Sequence, residues 1–144
     1  MRKKSMDDCI FCQIINGNIP SSKIYEDEQV LAFLDISQTT PGHSLLIPKK
    51  HVKNMFEMDS STASETFSRL PMIARAVQKA TKASAMNIVN NNGELAGQTV
   101  FHAHIHLVPR YSQEDGLSIQ YTTHEPDFEK LAQLAESIQK EVNL

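Results

Sequence analysis

Three histidines at alternate positions, His102, His104 and His106, are the residues of this chain whose spacing points most directly to chemistry. They stand in a segment running from Gly97 to Pro109. On an extended strand alternate side chains share a face. Val100, His102, His104, His106 and Val108 would then line one face, with the imidazoles about 7 Å apart. Phe101, Ala103, Ile105 and Leu107 would line the other, and as apolar residues they are expected in the core. Three imidazoles in five positions are costly to a fold, because each ring brings two nitrogens that need partners and less burial than valine. Two chemistries would repay that cost. Imidazole is a ligand for zinc, copper or nickel. It is also a nucleophile and acid–base group that is largely unprotonated at neutral pH. Rings two residues apart on a flat strand do not easily converge on one ion.

The residues just before this row narrow the choice. Asn90, Asn91, Gly93, Gly97, Gln98 and Thr99 supply amide and hydroxyl donors without bulk. An anionic phosphate needs such a lining. Elsewhere, Cys9 and Cys12 form a Cys-x-x-Cys pair. In a reduced compartment that pair is a metal or redox motif more often than a structural disulfide.

These groups must be held by a modest scaffold. The 144 residues suit one domain with one core, read here as 1–144. The apolar content of 40% and charged content of 22% are ordinary for a globular chain. A net charge of −3 carries no phosphate-backbone footprint, so no nucleic acid is expected as partner. The basic start, Met1 to Lys4, is followed by Asp7 and Asp8 rather than an apolar stretch, which argues against a secretory signal. No run approaches the roughly 18 apolar residues of a membrane span. A soluble, cytoplasmic protein is expected.

Along the chain, 9–16 reads as a short helix ending at Gly17, and 23–27 and 30–36 as two strands of a hairpin. Pro41-Gly42 marks a turn, and 43–48 a buried strand. Residues 60–83 read as one helix, with Phe67, Leu70, Ala74 and Val77 in an apolar stripe and a cap at Asp59, Ser60 or Ser61. Asn87 to Val89 and Thr99 to Val108 read as strands. A last helix over 126–142 places Phe128, Leu131, Ala135, Ile138 and Val142 on one face. Meandering strands with one inserted and one appended helix indicate an α+β fold with an antiparallel sheet.

At this point a resemblance becomes specific. His102-Ala103-His104-Ile105-His106-Leu107-Val108 resembles the His-x-His-x-His-x-x signature of the histidine-triad (HIT) family. Residues 33–51 and 90–110 resemble its two conserved blocks, and the Hint-like branch is the most similar. The resemblance implies a HIT-like fold: an antiparallel sheet of about five strands, extended across a homodimer. It implies that His104 attacks the α-phosphorus of a purine nucleotide to form a nucleotidyl-histidine, which water then hydrolyses. His106 would assist the leaving group as an acid, and His43 would stand on the phosphate side. Asn91, Gln98 and Thr99 resemble the residues that hold the α-phosphate. Asp35 resembles the ribose-binding acid, and Phe11, Ile14, Phe33 and Ile36 the walls of the purine pocket.

Cys9, Cys12, His51 and His102 together resemble the zinc set of bacterial members; two thiolates and two imidazoles suit tetrahedral Zn2+ in a closed, structural site. A thiol redox pair and two inert thiols are the other readings. The implied activity is a nucleotide phosphoramidase or hydrolase, resembling adenosine 5'-monophosphoramidases. The alternatives are a dinucleoside polyphosphate hydrolase and a nucleotide-sensing module with slow incidental catalysis. A metal-carrying or redox protein is a third class. Lys49, Lys50 and Lys53 read as a solvated rim or a phosphate-attracting patch. Residues 110–125 offer no match.

Overall fold

The computed structural model describes residues 8–142. Its centre is one five-stranded antiparallel sheet in the order β1-β2-β3-β5-β4. The strands are β1 (Lys23–Glu26), β2 (Val30–Leu34), β3 (Ser44–Pro48), β4 (Ala85–Val89) and β5 (Ile105–Arg110). The helices are α1 (Ile10–Ile15), α2 (Ser60–Ser68), α3 (Leu70–Thr81) and α4 (Phe128–Glu141). This is the α+β arrangement expected from the strand and helix order.

Alternation along the inner strands divides the apolar residues between two faces. Val30, Ala32, Leu46, Ile105 and Leu107 pack against Ile73 and Val77 of α3. Leu31, Phe33, Leu45 and Ile47 pack against Phe11 and Ile14 of α1. The sheet is therefore covered on both sides, by α2 and α3 on one and by the short α1 on the other. His106 lies opposite Leu45 in the β3–β5 register, which puts its ring on the α1 face.

Local chemistry sets the element ends. The Asp27 carboxylate accepts from the Gln29 and Val30 amides and closes the β1–β2 hairpin. Asp59 caps α2 through the Thr62 amide at 2.7 Å. The single helix expected over 60–83 is two, broken at Arg69. Pro71 has no N–H to give to the Phe67 carbonyl, and its ring crowds that turn. The expected stripe survives the break: Phe67, Leu70, Ala74 and Val77 all pack on the core.

The strand expected over Thr99 to Val108 is shifted, running from Ile105 to Arg110. Only His106 and Val108 of the expected imidazole face lie on it, and Phe101, expected in the core, is 39% exposed. Lys53 stands over its ring, 5.7 Å from the centroid. The Pro48 carbonyl, at the end of β3, takes a hydrogen bond from the His102 ring. The His102 carbonyl takes one from the His104 ring. The Ala103 amide meanwhile donates to the Val52 carbonyl rather than to β3, and regular pairing begins only at Ile105 opposite Leu46. At the far end Pro109 is tolerated because β3 pairs with β5 only as far as Leu107.

The last helix forms but its apolar face does not find the core. Phe128, Leu131, Leu134, Ile138 and Val142 remain exposed. Among the described residues no helix is long and apolar enough to cross a membrane.

Candidate functional site

Five histidines and two cysteines collect around the start of β5. The turn after β2 brings His43 there. Asp35 begins that turn, accepting from the Ser37 amide at 2.7 Å. Gln38 spans it, donating to the Asp35 and His43 carbonyls and accepting from the Gly42 amide. Gly42 closes it at φ +92°, where an added Cβ would meet the Thr81 methyl at 2.6 Å.

Hydrogen-bond partners fix the tautomers. The Thr39 amide donates to His43 Nδ1 at 3.2 Å, so the neutral ring carries its proton on Nε2. That Nε2–H donates to His106 Nδ1 at 2.9 Å, which leaves the His106 proton on Nε2. His104 Nδ1–H donates to the His102 carbonyl at 2.7 Å, so its Nε2 holds the lone pair. The His104 and His106 rings lie 5.0 Å apart at their centroids. Burial first, then the neighbouring His104 and His43, hold His106 down to about 4. Burial likewise lowers His104 and His43, partly countered in each by the Asp35 charge; at His104 the bond to the His102 carbonyl counters more. The rings are therefore neutral near pH 7, and one of them presents an unprotonated nitrogen.

The polar loop before β5 is braced from within. Buried Gln98 donates to the Lys53 and Val100 carbonyls and accepts from the Gly93 amide. Asn90 donates to the His104 carbonyl at 2.8 Å. Asn91 lines a small cleft of about 170 Å³ with His43 and His106, closed on one side by Leu117. Arg110 holds that side, donating to the Leu117 carbonyl and to Asp115. Thr99 lies elsewhere, in a recess with Cys9 and His51. Asp35 and Ile36 line a separate cleft of about 430 Å³, where the buried Ser21 hydroxyl has no hydrogen-bond partner. Ile36 is fully exposed, whereas Phe11, Ile14 and Phe33 are buried. Phe11 meets the His104 ring edge-on at 5.1 Å.

Beside the triad, Cys9, Cys12, His51 and His102 present four donor atoms within 4.8 Å of one another. Cys9 Sγ lies 3.4 Å and Cys12 Sγ 3.6 Å from His102 Nδ1, and Cys12 Sγ lies 3.3 Å from His51 Nδ1. A tetrahedral ion with bonds of about 2.3 Å to sulfur and 2.0–2.1 Å to nitrogen needs such S···N separations, about 3.6 Å. His102 Nε2–H donates to the Pro48 carbonyl at 2.8 Å, which leaves Nδ1 free to ligate and orients the ring. The set fits a metal ion.

Of the site residues read from sequence, the structure gathers the histidines, the cysteines and Asn91 around the start of β5. It also brings Asp35 to 3.7 Å from His43. Sequence reasoning missed the Thr39 amide, Gln38, Ser21 and Leu117. Backbone groups and loop braces carry no residue-type signal of their own. Ser21 and Leu117 acquire meaning only from the clefts they line.

The HIT domain model matches residues 16–113. Adenosine 5'-monophosphoramidase of Saccharomyces cerevisiae is 40% identical over 126 residues, 88% of this chain and 77% of that protein. The crystal structure of a HIT family protein from Bacillus anthracis is 50% identical, with a TM-score of 0.92 over 95% of this chain and 99% of that one. A Zn-bound histidine triad family protein from Mycobacterium smegmatis is 36% identical, with a TM-score of 0.72 over 92% of this chain and 99% of that one. The fold and site define a histidine-triad protein. The chain belongs to the HIT domain family.

Proposed function

We propose that this protein is a purine nucleotide hydrolase of the phosphoramidase type, cleaving a substituent from the α-phosphate through a nucleotidyl-His104 intermediate. The observation that carries this reading is the His104 tautomer. Its Nδ1–H is held by the His102 carbonyl, so the Nε2 lone pair is available for attack. The monophosphoramidase relative supports the reaction class.

In the first step His104 Nε2 bonds to the α-phosphorus while the bond from phosphorus to the leaving nitrogen breaks. The leaving nitrogen needs a proton, which a neutral His106 cannot supply. A phosphate arriving beside His106 brings the negative charge that favours its protonated form; the added proton, taken from solvent, sits on Nδ1, so His43 Nε2 must accept there while the His43 proton moves to Nδ1, away from the Thr39 amide. His106 then passes its Nε2 proton to the leaving amine. In the second step the neutral ring takes a proton from water as the oxygen attacks phosphorus. Mononucleotide is released and His104 Nε2 regains its lone pair. His43 keeps His106 in the required orientation. Asn91 is proposed as a phosphate donor, and Gln98 supports its loop through Lys53 and Val100; Thr99, in the recess with Cys9 and His51, is not assigned to the phosphate. Asp35 is assigned to the ribose hydroxyls. Ile36 is free to meet a base, and Phe11, Ile14 and Phe33, buried in the core on the α1 face, are the other residues proposed for the purine pocket.

We assign Zn2+ to Cys9, Cys12, His51 and His102, supported by the donor spacing and the zinc-bound relative. Four protein ligands leave no open position, so the ion would be structural, tying α1 to the segment that carries His104. A redox pair leaves unexplained why His51 and His102 stand at ligand distance from the two sulfurs. A homodimer joined through the outer strand β4, where Ile88 is exposed, also belongs to this reading.

The test is hydrolysis of adenosine 5'-phosphoramidate. Wild type should release the mononucleotide, and His104→Ala should bind nucleotide without turning it over. An active His104→Ala would remove the nucleophile assignment. Binding without turnover in the wild type would favour a sensing module.

A further inference from the structure

The turn between β2 and β3 sets a carboxylate beside two imidazoles. One oxygen of Asp35 and one ring nitrogen each of His43 and His106 lie within 4.8 Å of one another. Asp35 Oδ1 accepts from the Ser37 amide, and Oδ2 stands 3.7 Å from His43 Nε2. That separation is long for a hydrogen bond but short for an interaction between charges. The Asp35 and His43 side chains are 19% and 6% exposed, so water and salt screen them little.

The backbone fixes this spacing before any substrate arrives. The Asp35 amide donates to the His43 carbonyl at 2.9 Å. The Gln38 side chain donates to the carbonyls of both residues at 2.7 Å. A carboxylate can accept about four hydrogen bonds, and the Ser37 amide takes one of them. Lone pairs remain for ribose hydroxyls, and the negative charge stays beside the imidazoles whether or not a sugar is bound.

We propose that Asp35 has a second duty besides the ribose: it is the positioning residue that supplies the countercharge for the proton held by the His43–His106 pair. This rests on the reading of His106 as the leaving-group acid. The neutral pair holds two ring protons; the acid form holds three and a positive charge. Burial opposes that charge, and so do the neighbouring rings. Among the described residues, the titratable groups facing His106 are His104, His43 and Asp35, and of these only Asp35 favours its charged form. Thr39, Val89, Asn91, Val108 and Leu117, which line the cleft with the pair, carry no charge. An anion already fixed in place needs no reorganisation when the proton arrives.

The experiment uses the full chain and Asp35→Asn, which keeps the oxygen that accepts from Ser37 and removes the charge. Imidazole 15N signals of His43 and His106 are followed against pH with saturating 2',3'-dideoxyadenosine 5'-monophosphate, a ligand that offers Asp35 no hydroxyl. The apparent pKa of the pair should fall by about one unit or more in the variant. An unchanged value would overturn the proposal. The kinetic arm uses 2',3'-dideoxyadenosine 5'-phosphoramidates. With an alkylamine leaving group, kcat of Asp35→Asn should fall by about tenfold or more at pH 7, and its alkaline decline should begin at lower pH, while KM changes little. With a phenolate leaving group the loss in kcat should be much smaller. A loss confined to substrates that carry the ribose hydroxyls would make Asp35 a sugar contact alone and overturn the proposal. Wild type that turns over neither the ribose nor the dideoxy substrate would remove the catalytic reading, and this proposal with it. Wild-type turnover matched by the variant on the dideoxy alkylamine substrate would remove this proposal and leave that reading intact.

Discussion

The His104–His106 pair works by division of labour between chemically identical rings. His104 has its Nδ1–H tied to a backbone carbonyl and offers a lone pair; His106 receives at Nδ1 and offers Nε2–H. The difference comes entirely from their partners. If His106 serves the leaving group, its loss should matter in proportion to that group's need for a proton. His106→Gln should lower kcat by about 10²- to 10⁴-fold for an alkylamine leaving group. It should have a much smaller effect with a phenolate that departs unprotonated. Parallel kcat measurements on the two substrate series decide this, and an equal loss in both would assign His106 to binding instead.

At the level of elements, α1 is short and touches the site from one side only. Its Cys9 caps it by accepting from the Cys12 amide, and both sulfurs face His51 or His102. A helix of 6 residues has little stability of its own, so its anchoring rests on Phe11 and Ile14 in the core and on the proposed zinc. Cys12→Ser should lose bound zinc, measured as metal per chain, and lower the melting temperature. Its kcat should fall far less than that of His104→Ala, because the ion takes part in no chemical step. Full metal content in Cys12→Ser, or a kcat as low as that of the nucleophile variant, would contradict a structural role.

For the whole molecule, burying several imidazoles makes stability depend on pH. His106 titrates at about 4 in the folded chain against an ordinary 6.5. Below 6.5 the unfolded chain takes up that proton first, so the stability present above 6.5 is lost as pH falls towards about 4. His43 and His104 are shifted in the same direction and add to the loss. Urea unfolding midpoints should decrease across this window, and His106→Gln should show a shallower decrease than wild type. Rising stability on acidification would show that these rings gain rather than lose partners on folding.

The alternation of His102, His104 and His106, the cysteine pair and the amide-rich loop were legible from residue type and spacing, because local periodicity and ligand chemistry are written in the chain. So were the antiparallel α+β architecture and the apolar stripe from Phe67 to Val77. The tertiary structure decided what depends on distant partners. The strand begins only at Ile105, where the chain before it pairs with Val52 and the Pro48 and His102 carbonyls meet imidazoles. The tautomers follow from the Thr39 amide and from a carbonyl two residues away. Leu117 acquires a place beside His43 and His106 only because Arg110 folds its loop back. A hydrogen-bond partner leaves no periodic trace in sequence, whether it stands two residues away, as the His102 carbonyl does from His104, or tens of residues away, as the His43 ring does from His106.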